Sequence, residues 1–229
     1  MTEGVLSSQL CLHVINNNEL MQSAERGSTV KHYTSETVRE AAADLLDHGI
    51  LLLPTDTVYG VGAAYGSLDD LQRLKNIKHR PETKAIPFMV SSVNMMQEIA
   101  VMDERSLKIA EKFLPGPLTL ILKRDQSVDA AYTNGMETVA VRIPDCQPVI
   151  DLIEKTGRPL LVSSANLSGD PAALSSKQAE QALSNADGIL EGSCFNQQAS
   201  TILDCTKEDL QVLREGPLSL QEILEGIAS

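Results

Sequence analysis

Aromatic residues and positive charge are both scarce in this chain. Only 3% of its 229 residues are aromatic and none is Trp, so it lacks the base-stacking side chains on which single-stranded nucleic-acid-binding proteins rely. Its 19 Lys and Arg residues face 31 Asp and Glu residues, which gives a formal net charge of -12. Because broad contact with a phosphate backbone requires a positive surface, we expect any polyanion to bind only at a local site.

Long apolar runs are also missing. The apolar segment Ile50–Leu53 has the size of one strand, far short of the roughly 20 residues that cross a bilayer. The N-terminus carries Glu3 and lacks the basic and apolar regions of a signal peptide. The sequence therefore predicts a cytoplasmic protein with no membrane partner.

The cysteines are few and far apart. The chain has Cys11, Cys146, Cys194 and Cys205 in no C-x-x-C arrangement, and its four His residues are equally scattered. Structural zinc sites and disulfide frameworks require closer, repeated spacings. We predict neither, and no protein-bound metal.

Helical and strand-like patterns alternate along most of the chain. Apolar residues recur at helical spacing from a predicted cap at Ser35 to Gly49, and residues 50–54 then resemble a buried strand. Such alternation predicts an α/β domain with a mixed sheet. We assign residues 1–33 to an N-terminal extension with at most one short strand, and residues 34–229 to a single domain.

A glycine-rich segment follows this first strand. Residues 60–66 have the pattern G-x-G-x-x-x-G, which is one residue longer than the dinucleotide-binding fingerprint. We interpret the segment as a glycine-permitted turn. A P-loop motif is absent from the sequence.

Basic residues cluster locally despite the acidic composition. Lys78, Arg80 and Lys84 lie in a segment that leads into an apolar strand, where α/β sheets commonly place ligands. We expect this segment to be an exposed loop. Arg142 and Arg214 each lie in an otherwise apolar strand, and an unpaired buried guanidinium costs several kcal/mol. Each arginine must therefore reach solvent or meet an anion. Together with the basic segment, the two could hold a multiply charged anion such as ATP.

Several short motifs occur in one particular order. They are P-T-D-T-V-Y-G-V-G at 54–62, K-x-R at 78–80, P-G-P-L-T at 115–119, T-V-A-V-R at 138–142, S-x-N at 164–166, S-T-I-L-D at 200–204 and L-R-E-G at 213–216. In this order they resemble the YrdC family of threonylcarbamoyl-adenylate synthases over about residues 35–225. The length resembles that of the short, single-domain family members.

The resemblance implies both a fold and an activity. The expected fold is a twisted mixed sheet, flanked by helices, around a positively charged cavity. The expected activity is that of a nucleotidyltransferase, which forms threonylcarbamoyl-AMP and pyrophosphate from L-threonine, bicarbonate and ATP with Mg²⁺. The product would serve tRNA threonylcarbamoyladenosine (t6A) modification through downstream tRNA threonylcarbamoyl-transferase proteins, with weak or no direct tRNA binding by this chain.

The resemblance also implies site residues. The expected threonine contacts are Thr57, Arg142 and Ser200. The expected nucleotide contacts are Lys78, Arg80, Lys84, Thr138, Ser164, Asn166 and Arg214, of which Lys78 and Arg80 are the catalytic candidates. Two positions depart from the family pattern: Ala85 where proline is usual, and Ala172 where a serine near the nucleotide is common.

Three other interpretations remain open. A paralogue with the same fold could bind nucleotide, double-stranded RNA or tRNA without making the adenylate. A carbamoyl-transfer module resembling the domain in hydrogenase maturation proteins is a second, although those chains carry zinc-finger and acylphosphatase parts. A purely structural or binding role is the third, and it leaves the polar residues in buried strands unexplained.

Overall fold

One mixed β-sheet organises the molecule. The computed structural model describes residues 30–81 and 83–228. In chain order the elements are β1 (Lys31–Tyr33), α1 (Val38–Leu46), β2 (Leu51–Leu53), β3 (Gly60–Ala64), α2 (Leu68–Ile77), β4 (Phe88–Met89), α3 (Val93–Gln97), β5 (Ala100–Val101), α4 (Glu104–Phe113), β6 (Leu118–Arg124), β7 (Thr138–Arg142), α5 (Gln147–Thr156), β8 (Leu160–Ser164), α6 (Ser176–Ala182), β9 (Gly188–Leu190), β10 (Thr201–Asp204), β11 (Gln211–Arg214) and α7 (Leu220–Ala228). Short 3-10 helices cover Ser35–Thr37 and Ala130–Thr133.

The sheet contains both parallel and antiparallel pairs. Its order is β1-β9-β2-β3-β8-β4-β7-β6-β10-β11, and β5 pairs with β6 beside this path. The pairs β2/β9, β4/β7 and β6/β10 are parallel, whereas β3 is antiparallel to both of its neighbours. The prediction of an α/β fold with a mixed sheet is confirmed.

Helices cover both faces of the sheet because the central strands are apolar on both sides. Leu51 and Leu53 pack in one core cluster with α1 and α5, and Leu52 packs in the other. Alternate residues of a strand face opposite sides, so a strand of three leucines requires a hydrophobic layer on each face. The continuous apolar pattern at 50–54 predicted this burial correctly.

The glycine-rich segment is a strand, and our interpretation of it as a turn is wrong. Gly60–Ala64 forms β3, which pairs with β2 and β8 in the middle of the sheet. A Cβ atom on Gly60 would lie 2.7 Å from Val162 Cγ1, and one on Gly62 would lie 2.9 Å from Val162 Cγ2. The glycines therefore allow Val162 of β8 to lie close against the β3 backbone.

Several element boundaries differ from the sequence prediction. Thr34, rather than Ser35, caps the first helical turn, and α1 ends at Leu46 before Gly49. Helix α3 and strand β5 were not predicted. Both are very short, so neither contains enough residues for a periodic pattern.

The N-terminal boundary remains a prediction. Residues 1–29 lie outside the described residues, and so does Cys11. Residues 31–33, in the segment assigned to the extension, form β1 and pair in parallel with β9. In the part of the chain that the structure describes, the helices are all too short or too polar to span a bilayer.

Candidate active site

The candidate site is a cavity on one face of the sheet. Its walls come from seven neighbouring strands, β3, β8, β4, β7, β6, β10 and β11, and from the loop between β2 and β3. The polar residues that line it are Thr55, Thr57, Tyr59, Arg80, Thr119, Arg142, Ser163, Ser164, Asn166, Asp170, Ser200 and Arg214. Segments that are remote in sequence thus contribute to one concave surface.

The loop after β2 is held by the side chain of Thr55. Its hydroxyl lies 2.6 Å from the carbonyl oxygen of Val58 and accepts hydrogen bonds from the backbone N–H groups of Thr57 and Val58. Tyr59 follows with its ring buried and its hydroxyl 3.0 Å from Gly192 O. Burial raises the pKa of Tyr59 to about 12, so its phenol is protonated at neutral pH. The loop is thus a hydrogen-bonded turn in which both threonines are buried.

Arg142 connects this loop to the end of β7. Its Nη1 donates to Thr57 Oγ1 at 2.7 Å, its Nε donates to Gly116 O at 3.0 Å, and its Nη2 donates to Asp56 Oδ1. Only 7% of Arg142 is exposed. Burial lowers the pKa of Arg142, and the Asp56 carboxylate opposes that effect. The sequence required Arg142 either to reach solvent or to meet an anion. In the structure it meets an anion, the carboxylate of Asp56.

Ser200 lies at the centre of a second polar group. Its hydroxyl is 2.8 Å from Thr119 Oγ1, and both residues are buried. Arg214 of β11 donates from Nη2 to the Ser200 hydroxyl at 3.1 Å and from Nε to the Ser200 carbonyl at 3.0 Å. Partial burial lowers the pKa of Arg214. Arg214 thus lines the cavity and orients Ser200 through these hydrogen bonds.

The end of β8 forms a tight turn around Ser164 and Asn166. The Ser164 hydroxyl donates to Asn166 Oδ1, and Asn166 Nδ2 donates to the carbonyls of Leu167 and Asp170. Beneath this turn, Lys78 Nζ donates to the carbonyls of Ser164 and Asn166. Burial, with a smaller effect of Arg80, lowers the pKa of Lys78 to about 8. Lys78 therefore supports the turn from within the protein.

The segment after α2 is less exposed than we expected. Arg80 is half-buried and donates to the carbonyls of Lys84 and Ala85 at 3.0 and 2.7 Å, and to Ser163 Oγ at 3.3 Å. Only 1% of Lys78 is exposed. The expectation of a freely exposed loop is wrong, because its two basic side chains fold back against the ends of β4 and β8.

Seven of the ten predicted site residues line the cavity. They are Thr57, Arg80, Arg142, Ser164, Asn166, Ser200 and Arg214. The other three do not: Lys78 is buried behind the β8 turn, Lys84 is exposed, and Thr138 lies four residues before Arg142, about 13 Å along β7. The roles of all ten residues stay predictions.

Sequence reasoning assigned no role to several residues of the site, among them Thr55, Asp56 and Thr119. Thr55 and Asp56 belong to the P-T-D-T motif, and Thr119 ends the P-G-P-L-T motif. The possible need of Arg142 for an anion was a signal that pointed to carboxylates near strand ends, and Asp56 lies three positions after the buried strand β2. No sequence signal joins Thr119 to Ser200, because 81 positions separate them.

Comparisons with known proteins agree with this arrangement. A family model described as "Sua5_yciO_yrdC: Telomere recombination" matches residues 43–216. A protein of Pyrococcus abyssi named threonylcarbamoyl-AMP synthase is 33% identical over 81% of this chain and 56% of its own length. A Mycobacterium leprae protein named putative threonylcarbamoyl-AMP synthase is 30% identical over 93% of this chain and 95% of its own length.

A solved structure shares the fold. The crystal structure of P. abyssi Sua5 complexed with L-threonine superposes with a TM-score of 0.82 and 30% identity, over 86% of this chain and 60% of that one. This chain therefore spans little more than half the length of the first relatives that it matches. Because the family model covers most of the chain and the sheet superposes so closely, the chain belongs to the Sua5/YciO/YrdC family.

Proposed function

We propose that this protein is a threonylcarbamoyl-AMP synthase. It would convert L-threonine, bicarbonate and ATP into threonylcarbamoyl-AMP and pyrophosphate, for t6A modification of tRNA. The observation that carries the proposal is the convergence of Arg80, Arg142 and Arg214 on one cavity that also contains the Thr57 and Ser200 hydroxyls. Because the chain as a whole is acidic, we expect an anionic nucleotide and an amino acid to bind at this cavity, which gathers hydrogen-bond donors for both. The proposal includes a net positive electrostatic potential in this cavity.

The amino acid would bind at the inner end, between Thr57, Arg142 and Ser200. An arginine carries five N–H groups, and three of those on Arg142 bond to the protein. Two N–H groups of Arg142 therefore remain, and a bidentate contact with a carboxylate uses two. The bond to Asp56 and the burial of Arg142 fix the guanidinium before the substrate arrives, so less entropy is lost on binding. The P. abyssi Sua5 structure with L-threonine supports this choice of substrate.

The nucleotide would occupy the outer part of the cavity. Arg80 and Arg214 would face its phosphates, and Ser164 and Asn166 at the β8 turn would contact the nucleotide. Lys78 would act through that turn, whose carbonyls it holds. Lys84 and Thr138 do not line the cavity. Their expected contacts with the nucleotide therefore require either that their segments move or that the nucleotide extends beyond the cavity. Ala172, which also lines the cavity, offers no hydroxyl to the nucleotide.

The chemistry requires no protein nucleophile. The threonine amine would add to bicarbonate with loss of water and form a carbamate. A carbamate oxygen would then attack the α-phosphorus of ATP, and the bond to pyrophosphate would break. Positioning of the two reactants and neutralisation of charge would supply most of the rate. The fixed guanidinium groups of the cavity suit that task, since they need no reorganisation during the reaction.

Mg²⁺ would accompany the nucleotide. Among the described residues there is no group of three or more His, Cys, Asp or Glu that could hold an ion by itself. A magnesium ion bound mainly through substrate phosphates and water needs only one or two carboxylates, and Asp170 at the cavity is suited to be one. The ion would neutralise charge on the phosphates that leave as pyrophosphate.

The product would pass to other proteins. With a net charge of -12, we expect this chain to bind free tRNA weakly and to release threonylcarbamoyl-AMP to a downstream tRNA threonylcarbamoyl-transferase in the cytoplasm. A gel-shift titration at about 0.15 M salt tests this expectation. Sub-micromolar affinity for tRNA would instead favour the RNA-binding paralogue.

One experiment tests the activity itself. Pyrophosphate release is measured with ATP and Mg²⁺, and threonine and bicarbonate are omitted in turn. We expect release only when both are present, and threonylcarbamoyl-AMP as the second product by mass spectrometry. Release that is independent of threonine would refute the proposal.

A further inference from the structure

Thr201, the residue after Ser200, has a hydroxyl group that makes two hydrogen bonds to one residue. Its Oγ1 donates to the carbonyl oxygen of Leu218 at 2.6 Å and accepts from the Leu218 N–H at 3.1 Å. Both directions are fixed, since a carbonyl oxygen can only accept and a backbone N–H can only donate. Thr201 is buried and does not line the cavity. Its side chain therefore satisfies the backbone of Leu218 and contacts no substrate.

The residues at the start of β10 face alternate sides of the sheet. Ser200 and Ile202 line the cavity, and alternate residues of a strand point to the same side, so Thr201 between them points away from it. Arg214 bonds to Ser200 on the cavity side. Leu218, four positions after Arg214, bonds to Thr201 on the other side. The chain that leaves β11 thus holds the start of β10 from both faces.

Strand pairing holds Arg214 from one side alone. Among the described residues β11 pairs only with β10, and the register of that pair shifts directly beside Arg214, so the ladder is irregular there. Gly216 then lies against the start of β10, where a Cβ atom would be 2.2 Å from the backbone nitrogen of Thr201. Glycine permits this close approach, and the hydroxyl of Thr201 holds Leu218 two residues later. The position of the Arg214 backbone therefore depends on contacts that follow β11.

We propose that Thr201 is a positioning residue. Through Leu218 it fixes the backbone that carries Arg214, and so holds the guanidinium against Ser200 at the cavity. The inference rests on the proposed function, in which Arg214 faces the phosphates of ATP. A group that is fixed before its ligand arrives loses less entropy on binding. Without the Thr201 hydroxyl, both backbone polar groups of Leu218 lose this partner, the segment shifts to find others, and Arg214 leaves the position that suits phosphate.

The test measures the dissociation constant of ATP with Mg²⁺, by calorimetric titration of the whole protein without threonine or bicarbonate. Thr201→Val keeps the branched shape of the side chain and removes the hydroxyl, so it should weaken ATP binding by about threefold or more. Arg214→Ala removes the whole contact and sets the upper limit, at about 10- to 150-fold. Thr201→Ser retains the hydroxyl and should keep the wild-type dissociation constant.

A double variant distinguishes positioning from a general loss of structure. If Thr201 acts through Arg214, Thr201→Val should cause no further loss of ATP affinity in the Arg214→Ala protein, because the group that it positions is absent. Thr133→Val is the matched control, because Thr133 is a buried threonine whose hydroxyl is 2.7 Å from Met136 O and which does not line the cavity. It should leave ATP binding unchanged.

The remaining outcomes are also decisive. A folded Thr201→Val protein that binds ATP as tightly as the wild type would overturn the inference, and so would an equal loss with and without Arg214. If Thr201→Val does not fold, Thr201→Cys replaces it and is judged in the same way, because a thiol is only a weak donor and acceptor.

Failure of the proposed function gives a different result. A wild-type protein that binds ATP but releases no pyrophosphate with threonine and bicarbonate would refute the synthase activity, while the ATP dissociation constants still decide the role of Thr201. A wild-type protein that binds no ATP would refute both.

Discussion

Asp56 and Arg142 form a buried ion pair that joins the loop after β2 to the end of β7. Both side chains are less than one-tenth exposed. Asp56 Oδ1 also accepts from the backbone N–H of Asp145, while Asp56 Oδ2 has no partner among the described residues. The pair crosses the wall of the cavity, so the stability of the fold and the orientation of Arg142 depend on one carboxylate.

Asp56→Asn should therefore destabilise the protein strongly. It leaves the Arg142 charge buried without compensation, which typically costs about 3–5 kcal/mol in unfolding free energy. Urea denaturation measures the change. Glu104→Gln is the control, because it breaks the exposed pair with Lys108, and such pairs contribute about 0–1 kcal/mol. Equal effects of the two substitutions would contradict the importance of the buried pair.

Arg80→Ala should reduce the proposed activity while leaving the protein folded. A charge-assisted contact with phosphate contributes about 1.5–3 kcal/mol, or roughly 10- to 150-fold in kcat/KM for ATP. Pyrophosphate release measures the loss. Arg39→Ala, which removes an exposed arginine on α1, is the control for net charge. A change of less than about threefold in a folded Arg80→Ala protein would rule out the phosphate role.

Lys78 should make stability depend on alkaline pH. Its pKa is lowered to about 8 in the folded protein from 10.5, so between these values the unfolded chain binds more protons. The unfolding free energy should then rise with pH, by up to about 1.4 kcal/mol per pH unit. Denaturation between pH 8 and 10 should show this rise in the wild type. It should be smaller in Lys78→Gln, which keeps donors for the two carbonyls but has no charge; equal slopes would contradict the lowered pKa.

Gly60→Ala should destabilise the sheet through one contact. The new methyl group would lie 2.7 Å from Val162 Cγ1, and overpacking of this kind costs about 1–3 kcal/mol. The double variant Gly60→Ala/Val162→Ala removes the clash. In thermal unfolding, the double variant should lose less stability than the sum of the losses of the two single variants. A loss equal to that sum would contradict the predicted clash.

The order of amino-acid substrates should be threonine, then serine, then valine. Serine lacks one methyl group, which an apolar pocket distinguishes by about 10- to 200-fold. Valine lacks the hydroxyl and leaves polar groups such as the Thr57 hydroxyl without their partner, so its rejection should be stronger. Values of kcat/KM for the three amino acids test the order. If valine reacts faster than serine, Thr57 does not recognise the hydroxyl.

The local structure was largely predictable because it depends on neighbours in sequence. Ser67 and Asp103 cap α2 and α4 where capping residues precede helical patterns. The β3 segment was one exception. Gly60 and Gly62 favour turns when considered alone, but contact with Val162, about a hundred positions later, makes a strand the better arrangement.

The order of amino acids was enough to predict an α/β protein of a recognisable family, and to predict that Arg142 must reach solvent or meet an anion. Burial of a charge in an apolar strand requires compensation whatever the fold. The folded structure was needed to show that the anion is Asp56, 86 positions away, that Lys78 donates to two carbonyl groups, and that the Thr57 hydroxyl accepts from Arg142. Those outcomes depend on which atoms the folded chain brings within hydrogen-bond distance, and hydrogen bonds act only over about 3 Å.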